Sequence, residues 1–340
     1  MSVIDRSVPS TATSQLCDNP ALRDSWFAVA RALDVGDRPV HARLLGTDLV
    51  LYRTAAGIVA APDRCPHREA PLSAGFMKDG CLVCPYHGWS FGETGTCTSV
   101  PSSADHVPPP PRAHLATYQC AEHYGLVWVC LGTPRLPLPV VPHDADPSFR
   151  RINTPVDVWK VSATRMVDNF LDVTHFPWVH LGTFGRAQDT RAPKVELADL
   201  DNGWHGYAYD VVANNTALGS TASGQGANVV ERSMTSGFHL PMNCRSTIRY
   251  ASGLEHILLL LSTPVDDVTS YFTFVVWRND DFSVAAEEVT RLDFAIGAED
   301  KRMLELVPGV LPLDQTTLVN VQSDRCSVEW RRQLSEYLRG

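Results

Sequence analysis

The chain has 340 residues, 38 acidic against 29 basic side chains and a formal charge of −9 with histidine neutral, while 44% of its residues are apolar. That length predicts two domains, each able to bury its own core, and the acidic surplus excludes electrostatic capture of nucleic acid or an anionic membrane, which needs clustered Lys and Arg. The longest strongly apolar stretch, Ile257 to Leu261, is too short to cross a bilayer, and the Ser/Thr-rich start around Asp5 has no apolar leader core, so a cytoplasmic protein without membrane contact is expected.

From about Trp26 to Gly132 short β-rich runs alternate with Gly, Pro and Asp: Leu49 to Tyr52, Ile58 to Ala60, Leu82 to Val83 and Leu126 to Leu131. This pattern predicts a small all-β domain over 24–133, with Pro108 to Pro111 as a stiff connector inside it. The Pro-rich stretch from Pro134 to Pro147 predicts a linker over 134–150. A second domain is expected over 151–340. It opens with a helix near Thr164 to Phe176, continues through strands including Trp204 to Val212, Glu255 to Val265 and Ser270 to Arg278, and closes with helices over Ser283 to Leu306 and Ser323 to Leu338. The expected fold class is therefore α+β, an all-β unit followed by an antiparallel sheet packed with helices. No internal repeat is present.

Nine cysteines, an odd number at irregular spacing, predict metal ligation or burial rather than a disulfide framework. Cys65-Pro66-His67 and Cys84-Pro85-Tyr86-His87 each set a thiolate and an imidazole close together, with sixteen residues between the pairs. Two such loops can enclose one metal centre. A Rieske cluster needs two cysteines on one iron and two histidines on the other, and each loop supplies one of each; a structural zinc ion could use the same donor types. Pro66 and Pro85 restrict the loop backbone, and Gly75 and Gly88 permit turns or close approach.

At Cys65-Pro66-His67-Arg68, the sixteen-residue gap and Cys84-Pro85-Tyr86-His87-Gly88-Trp89, the chain resembles the Rieske non-haem iron oxygenases. Respiratory Rieske proteins carry a further cysteine in each loop; here Tyr86, Glu69 and Ala70 stand at those places, so the resemblance is to the low-potential branch. Cys81 and Cys97 have no ligand role in the pattern and are expected to be buried neutral thiols.

A second cluster of donors runs from Asp168 to His180. On a helix Asn169, Asp172 and His175 share one face, while His180, five residues beyond His175, would point about 140° away. Pro177 is expected to bend the chain and bring His180 back. Two imidazoles and one carboxylate leave iron(II) three adjacent open positions. The segment Asn169-x2-Asp172-x2-His175-x4-His180 resembles the family's mononuclear iron motif throughout.

That resemblance implies a helix-grip-like catalytic domain, a 2Fe-2S cluster on Cys65, His67, Cys84 and His87, and iron(II) on His175, His180 and a carboxylate from a late helix. Asp300 is the choice for this carboxylate, with Glu299, Asp293 and Glu305 as competitors. Asp172 is expected to bridge the centres of neighbouring subunits in a head-to-tail homotrimer, and Asn169 to shape the iron site without binding metal. No Gly-rich dinucleotide fingerprint is present, so a separate NAD(P)H-dependent reductase, with or without a ferredoxin, is implied. The chain resembles the shorter family members through Tyr124-Gly125-Leu126-Val127-Trp128-Val129, which implies O2-dependent hydroxylation or demethylation of a small aromatic or alkaloid-like molecule. The alternatives are aromatic cis-dihydroxylation and an electron carrier without catalytic iron. His205, His239 and His256 are expected to be ordinary histidines, and Trp204, Phe238, Trp277 and Phe294 receive no role.

Overall fold

The computed structural model describes residues 16–104 and 106–340, so the segment around Asp5 lies outside the described residues. The N-terminal part is built from three small antiparallel sheets. Phe27–Arg31 pairs with Leu126–Cys130, which pairs with Gln119–His123; Val40–Leu44, Thr47–Thr54 and Gly57–Pro62 form a meander; Phe76–Lys78, Cys81–Val83, Ser90–Phe91 and Cys97–Ser99 form the third. Three of the hairpins close through two residues at positive φ, Leu45-Gly46, Asp79-Gly80 and Tyr124-Gly125. Such pairs match the right-handed twist of the strands they join. Tyr124 is thus a turn residue, and the strand after it starts at Leu126, where the β-rich run was expected to begin.

Tyr124 is also an anchor, because its hydroxyl accepts a hydrogen bond from the Val141 amide at 2.7 Å. Two indoles hold the same Pro-rich stretch: Trp204 Nε1 donates to the Val140 carbonyl and Trp277 Nε1 to Asp144 Oδ1, both at 2.8 Å. Trp204 and Trp277 are buried by this packing.

The C-terminal part centres on an eight-stranded antiparallel sheet, ordered Arg150–Asn153, Ser270–Arg278, Glu255–Pro264, Asn243–Tyr250, Val229–His239, His205–Asn214 and Ala198–Asp199, with Asp157–Trp159 also pairing with Ser270–Arg278. Alternate residues of its central strands point to one face. Helices Ala163–Phe170, Ala286–Leu304 and Arg325–Arg339 pack there. Cys326, Trp330 and Leu334 are fully buried from the last helix, and Trp330 Nε1 donates to the Pro241 carbonyl at 2.9 Å.

One apolar core unites Leu22, Phe27 and Val129 with Val167, Met242 and Trp330. The final helix reaches the N-terminal part directly: Asn19 Nδ2 donates to the Leu338 carbonyl at 3.1 Å, and the Ser25 and Tyr337 hydroxyls lie 2.7 Å apart.

Candidate metal centres

The two Cys-His loops share one backbone design. In the first, the Cys65 amide donates to Ala70 and the Glu69 amide to Cys65; in the second, the Cys84 amide donates to Trp89 and the Gly88 amide to Cys84, all between 2.8 and 3.0 Å. Each turn needs a left-handed residue at its fifth position, which Glu69 fills at φ 61° and Gly88 at φ 71°. Glycine does this without strain; Glu69 adopts the same conformation with a side chain. Gly75 has a different constraint, since a Cβ there would collide with the Val83 carbonyl and sit 2.9 Å from that of Leu72.

Cys65 and Cys84 are buried and adjacent, the Cys65 thiol being pushed up to about 11 by burial and by its neighbour Cys84, while the amides of His67 and Arg68 work the other way. Those amides favour a negative sulfur. The His67 and His87 rings are 4.5 Å apart, and Trp89 stacks on His67 at 4.4 Å. His67 Nδ1 is buried with no hydrogen-bond partner among the described residues. A buried ring nitrogen without a partner, close to a second imidazole and two neighbouring thiols, is the donor set that a 2Fe-2S cluster with two histidines requires. Cys97 is a buried thiol donating to Ser99, as expected, whereas Cys81 is only half-buried.

The second centre differs from expectation in how it bends. The helix ends at Phe170, before Pro177 is reached, and a separate short helix spans Phe176–Val179 with Pro177 in its first turn, where proline is tolerated. The break is made by Asp172: its Oδ1 accepts from the Thr174 amide at 2.8 Å and hydroxyl at 2.7 Å, and its Oδ2 from the His175 amide at 3.1 Å. This side-chain turn competes with helical hydrogen bonding. Asn169, Asp172 and His175 consequently lie on a helix, a turn and a helix cap rather than along one helical face.

His175 Nε2, His180 Nε2 and Asp300 Oδ1 converge, with edges of 3.1, 3.5 and 3.4 Å. They form a cluster able to hold a metal ion, all three donor atoms lying within 4.8 Å of one another. Ligands about 2.1 Å from a metal and at right angles stand about 3.0 Å apart, so the triangle fits one face of an octahedron. Each imidazole is turned toward that point by a carboxylate on its other nitrogen: Asp172 Oδ2 lies 3.0 Å from His175 Nδ1, and Glu299 Oε2 3.0 Å from His180 Nδ1. Glu299 is itself fixed by the Gly182 amide at 3.0 Å and the Thr183 hydroxyl at 2.7 Å, and Asn169 Nδ2 donates to Asp300 Oδ1 at 3.0 Å. Neighbouring residues of one helix thus divide the work, Asp300 facing the ligand triangle and Glu299 the imidazole behind it.

Burial opposes a charge on His175, but the hydrogen bonds it donates to Asp172 and Asp300 outweigh this and raise the imidazole to about 9 in the absence of metal. His180 is pushed down, chiefly by burial. Burial also opposes ionisation of Asp172, yet His175 and Thr174 hold it below the ordinary carboxylate range.

The triangle borders a cavity of about 110 Å³ between the sheet and the helix Ala286–Leu304. Its walls include Phe176, Phe184, Leu258, Leu260, Phe272 and Phe274, with Arg232, His256 and Asp293 as charged or titratable members beyond the triangle. Trp204, Phe238, Trp277 and Phe294 do not line it. His256, expected to be an ordinary histidine, does. Arg232 had no place in the sequence pattern, although one signal could have found it: Val230, Arg232, Met234, Ser236 and Phe238 alternate along one strand, so the arginine shares the inward face of apolar neighbours.

A family profile described as Rieske [2Fe-2S] domain matches residues 25–119, and one described as Vanillate O-demethylase oxygenase C-terminal domain matches residues 159–340. The methylxanthine N1-demethylase NdmA of Pseudomonas putida is 31% identical, over 93% of this chain and 89% of its own. The oxygenase component of dicamba O-demethylase from Stenotrophomonas maltophilia is 34% identical over 47% of this chain and 48% of its own. The structure titled Pseudomonas putida CBB5 NdmA with caffeine superposes with a TM-score of 0.82 at 27% identity, covering 95% of this chain and 93% of the other. Together the two matched segments and the full-length relative place this chain in the Rieske non-haem iron oxygenases, oxidoreductases that carry a 2Fe-2S cluster and a mononuclear iron and that work with a separate reductase.

Proposed function

We propose that this chain is the terminal oxygenase of a cytoplasmic system that hydroxylates or oxidatively demethylates a small aromatic or alkaloid-like molecule. Electrons come from an NAD(P)H-dependent reductase, directly or through a ferredoxin. The observation that carries the reading is the triangle of His175, His180 and Asp300 at the wall of an apolar cavity, each imidazole backed by its own carboxylate. In this reading Cys65 and Cys84 hold one iron of the cluster, His67 and His87 the other, and the chain divides within 134–150. The names of the relatives, demethylases of methylxanthines and of dicamba, support removal of a methyl group bound to nitrogen or oxygen.

When bound, the cluster supplies single electrons and the iron supplies oxygen activation. The chain's own residues do the rest. Phe176, Phe184 and Phe272 exclude water, Asp172 and Glu299 keep protons on the Nδ1 atoms so that both Nε2 lone pairs face the metal, and Asn169 restrains the Asp300 carboxylate. For a methyl ether, one O2, two electrons and two protons convert the substrate to the free hydroxyl compound, formaldehyde and water.

A head-to-tail homotrimer is part of the proposal. Tyr86 is exposed beside His87, and Trp178 and Leu181 are exposed on either side of His180, so each centre has large apolar side chains at its surface. In the trimer Asp172 would connect His175 to a cluster histidine of the next subunit.

Anaerobically reconstituted protein should contain about three irons and two acid-labile sulfides per chain. With a surrogate reductase it should release formaldehyde from methyl ethers or N-methyl heterocycles. A cis-diol without formaldehyde would favour dihydroxylation, two irons per chain an electron carrier, and zinc without sulfide would defeat the reading.

A further inference from the structure

Four arginines are buried in the described structure, and three of them have carboxylates. Arg245 pairs with Asp201, Arg278 with Asp280 at 2.7 Å, and Arg331 with Asp168 at 3.4 Å. Arg232 does not. It is 3% exposed, its Nε and Nη2 have no hydrogen-bond partner, and among the described residues no carboxylate lies within ion-pairing distance. Its guanidinium carbon lies 5.4 Å from the centre of the Phe184 ring and 5.6 Å from that of Tyr250, its cross-strand partner. Two ring faces offset only part of the cost of taking a cation out of water.

The other charges around the cavity fall into two groups. In the first, Asp293 faces His256 at 3.3 Å, His256 Nδ1 accepts from Arg278 at 2.9 Å, and Asp280 joins Arg278 at 2.7 Å to Arg150 at 2.6 Å. Two aspartates there balance two arginines. The second group is the iron triangle, where Asp172, Glu299 and Asp300 surround His175 and His180. Three ionised carboxylates and one iron(II) leave a single negative charge, whereas with iron(III) they leave none. The Phe184 ring that meets Arg232 also stacks on His180, with centres 4.9 Å apart and planes 27° from parallel. Among the described residues that line the cavity, Arg232 is thus the charge without a partner in either group, and one aromatic ring separates it from the iron triangle.

We propose that Arg232 is a fixed counter-charge for the ferrous site. It acts through space, without touching metal or substrate: its positive charge balances the single negative charge of the iron(II) site, and oxidation to iron(III) leaves that charge unbalanced. A guanidinium is suited to the task, because it stays protonated at any pH the protein meets. The low-polarity walls let its field reach the metal with little screening. The consequence is a raised reduction potential at the mononuclear iron, so that an electron leaving the cluster moves toward an ion that favours its reduced form. The inference rests on the oxygenase reading for the identity of the metal, but its test does not depend on turnover.

The test uses the reconstituted holoenzyme in an anaerobic redox titration, with electron paramagnetic resonance following the ferric mononuclear iron and the reduced cluster separately. Arg232→Met, which keeps the length of the side chain and removes its charge, should raise the ratio of ferric to ferrous affinity on the order of tenfold, equivalent to a fall of about 59 mV in the midpoint of the mononuclear iron. The cluster midpoint should stay where it is. Arg232→Lys restores the charge and should return the affinity ratio to within about threefold of the wild type. Tyr250→Glu, which neutralises the arginine from its cross-strand neighbour, should lower the midpoint likewise, and it decides the matter if Arg232→Met does not fold. An unshifted midpoint in the neutralised variants, or the same shift in Arg232→Lys as in Arg232→Met, overturns the proposal, because an arginine that only fills space would behave so. Reconstituted protein without a third iron would defeat the oxygenase reading and this inference together. About three irons per chain with an unshifted midpoint would leave that reading standing and sink only the role of Arg232.

Discussion

At the scale of single residues, the iron site depends on where protons sit. Without metal, Asp172 and Asp300 stabilise the charged form of His175 against burial, so this group contributes stability below its unfolded value of about 6.5 and loses it as the pH rises through about 9. An iron(II) ion must displace that proton. Binding of iron(II), or cobalt(II) as a stand-in, to metal-depleted protein should therefore tighten by about tenfold per pH unit between pH 6 and 8, as measured by titration. Glu299→Gln, which removes the charge behind His180, should weaken metal binding by roughly 10- to 100-fold and leave the cluster spectrum unchanged. Unaltered affinity would show that Glu299 has no orienting part. The convergence of His175 and His180 was legible because the motif compresses them, with Asn169 and Asp172, into one short segment. The separate tasks of Glu299 and Asp300 were not legible, since adjacency in sequence does not say which carboxylate meets Nε2 and which meets Nδ1. Arg232 stayed hidden for a related reason: a polar residue on a strand declares its face only once the register of the sheet is known.

At the scale of elements, what matters is how turns place donors. Gly75 lies against the backbone of Val83, immediately before the second cluster loop, and an added methyl would push Cys84 away from Cys65. Gly75→Ala should cost about 2 kcal/mol or more in unfolding free energy and reduce the bound iron and sulfide, read from the melting curve and metal analysis. Wild-type cluster content in this variant would remove the steric argument. Strands were well marked in the sequence: Ser270–Arg278 has the expected bounds, and Glu255–Pro264 is within one residue of them. The helix near Asn169 was misjudged, because proline is a strong breaking signal whereas the capping turn of Asp172 depends on a side-chain conformation. Acidic, helix-favouring composition carried the helix that supplies Asp300, which runs over Ala286–Leu304 inside the expected 283–306.

For the molecule as a whole, Trp178 and Tyr86 are exposed on the chain, and the proposed head-to-tail trimer would cover them. Trp178→Asp should shift light-scattering mass from trimer toward monomer, keep three irons per chain, and lower reductase-driven turnover by about tenfold or more, because a buried interface tryptophan contributes strongly to association. A variant that remains fully trimeric would mean that the subunits meet elsewhere. The α+β class and the Pro-rich passage were visible in composition. The shared core was not, since apolar periodicity identifies which face is covered but not which distant segment covers it.

The hydrogen bonds from Asn19 to Leu338 and between Ser25 and Tyr337 have an effect beyond packing. They clasp the turn around Tyr337 and Leu338 to the threshold of the first sheet, so that clasp can close only after more than three hundred further residues have followed Ser25 out of the ribosome. A label placed at Arg339 would sit beside the cluster-bearing half, far along the sequence yet next door in space.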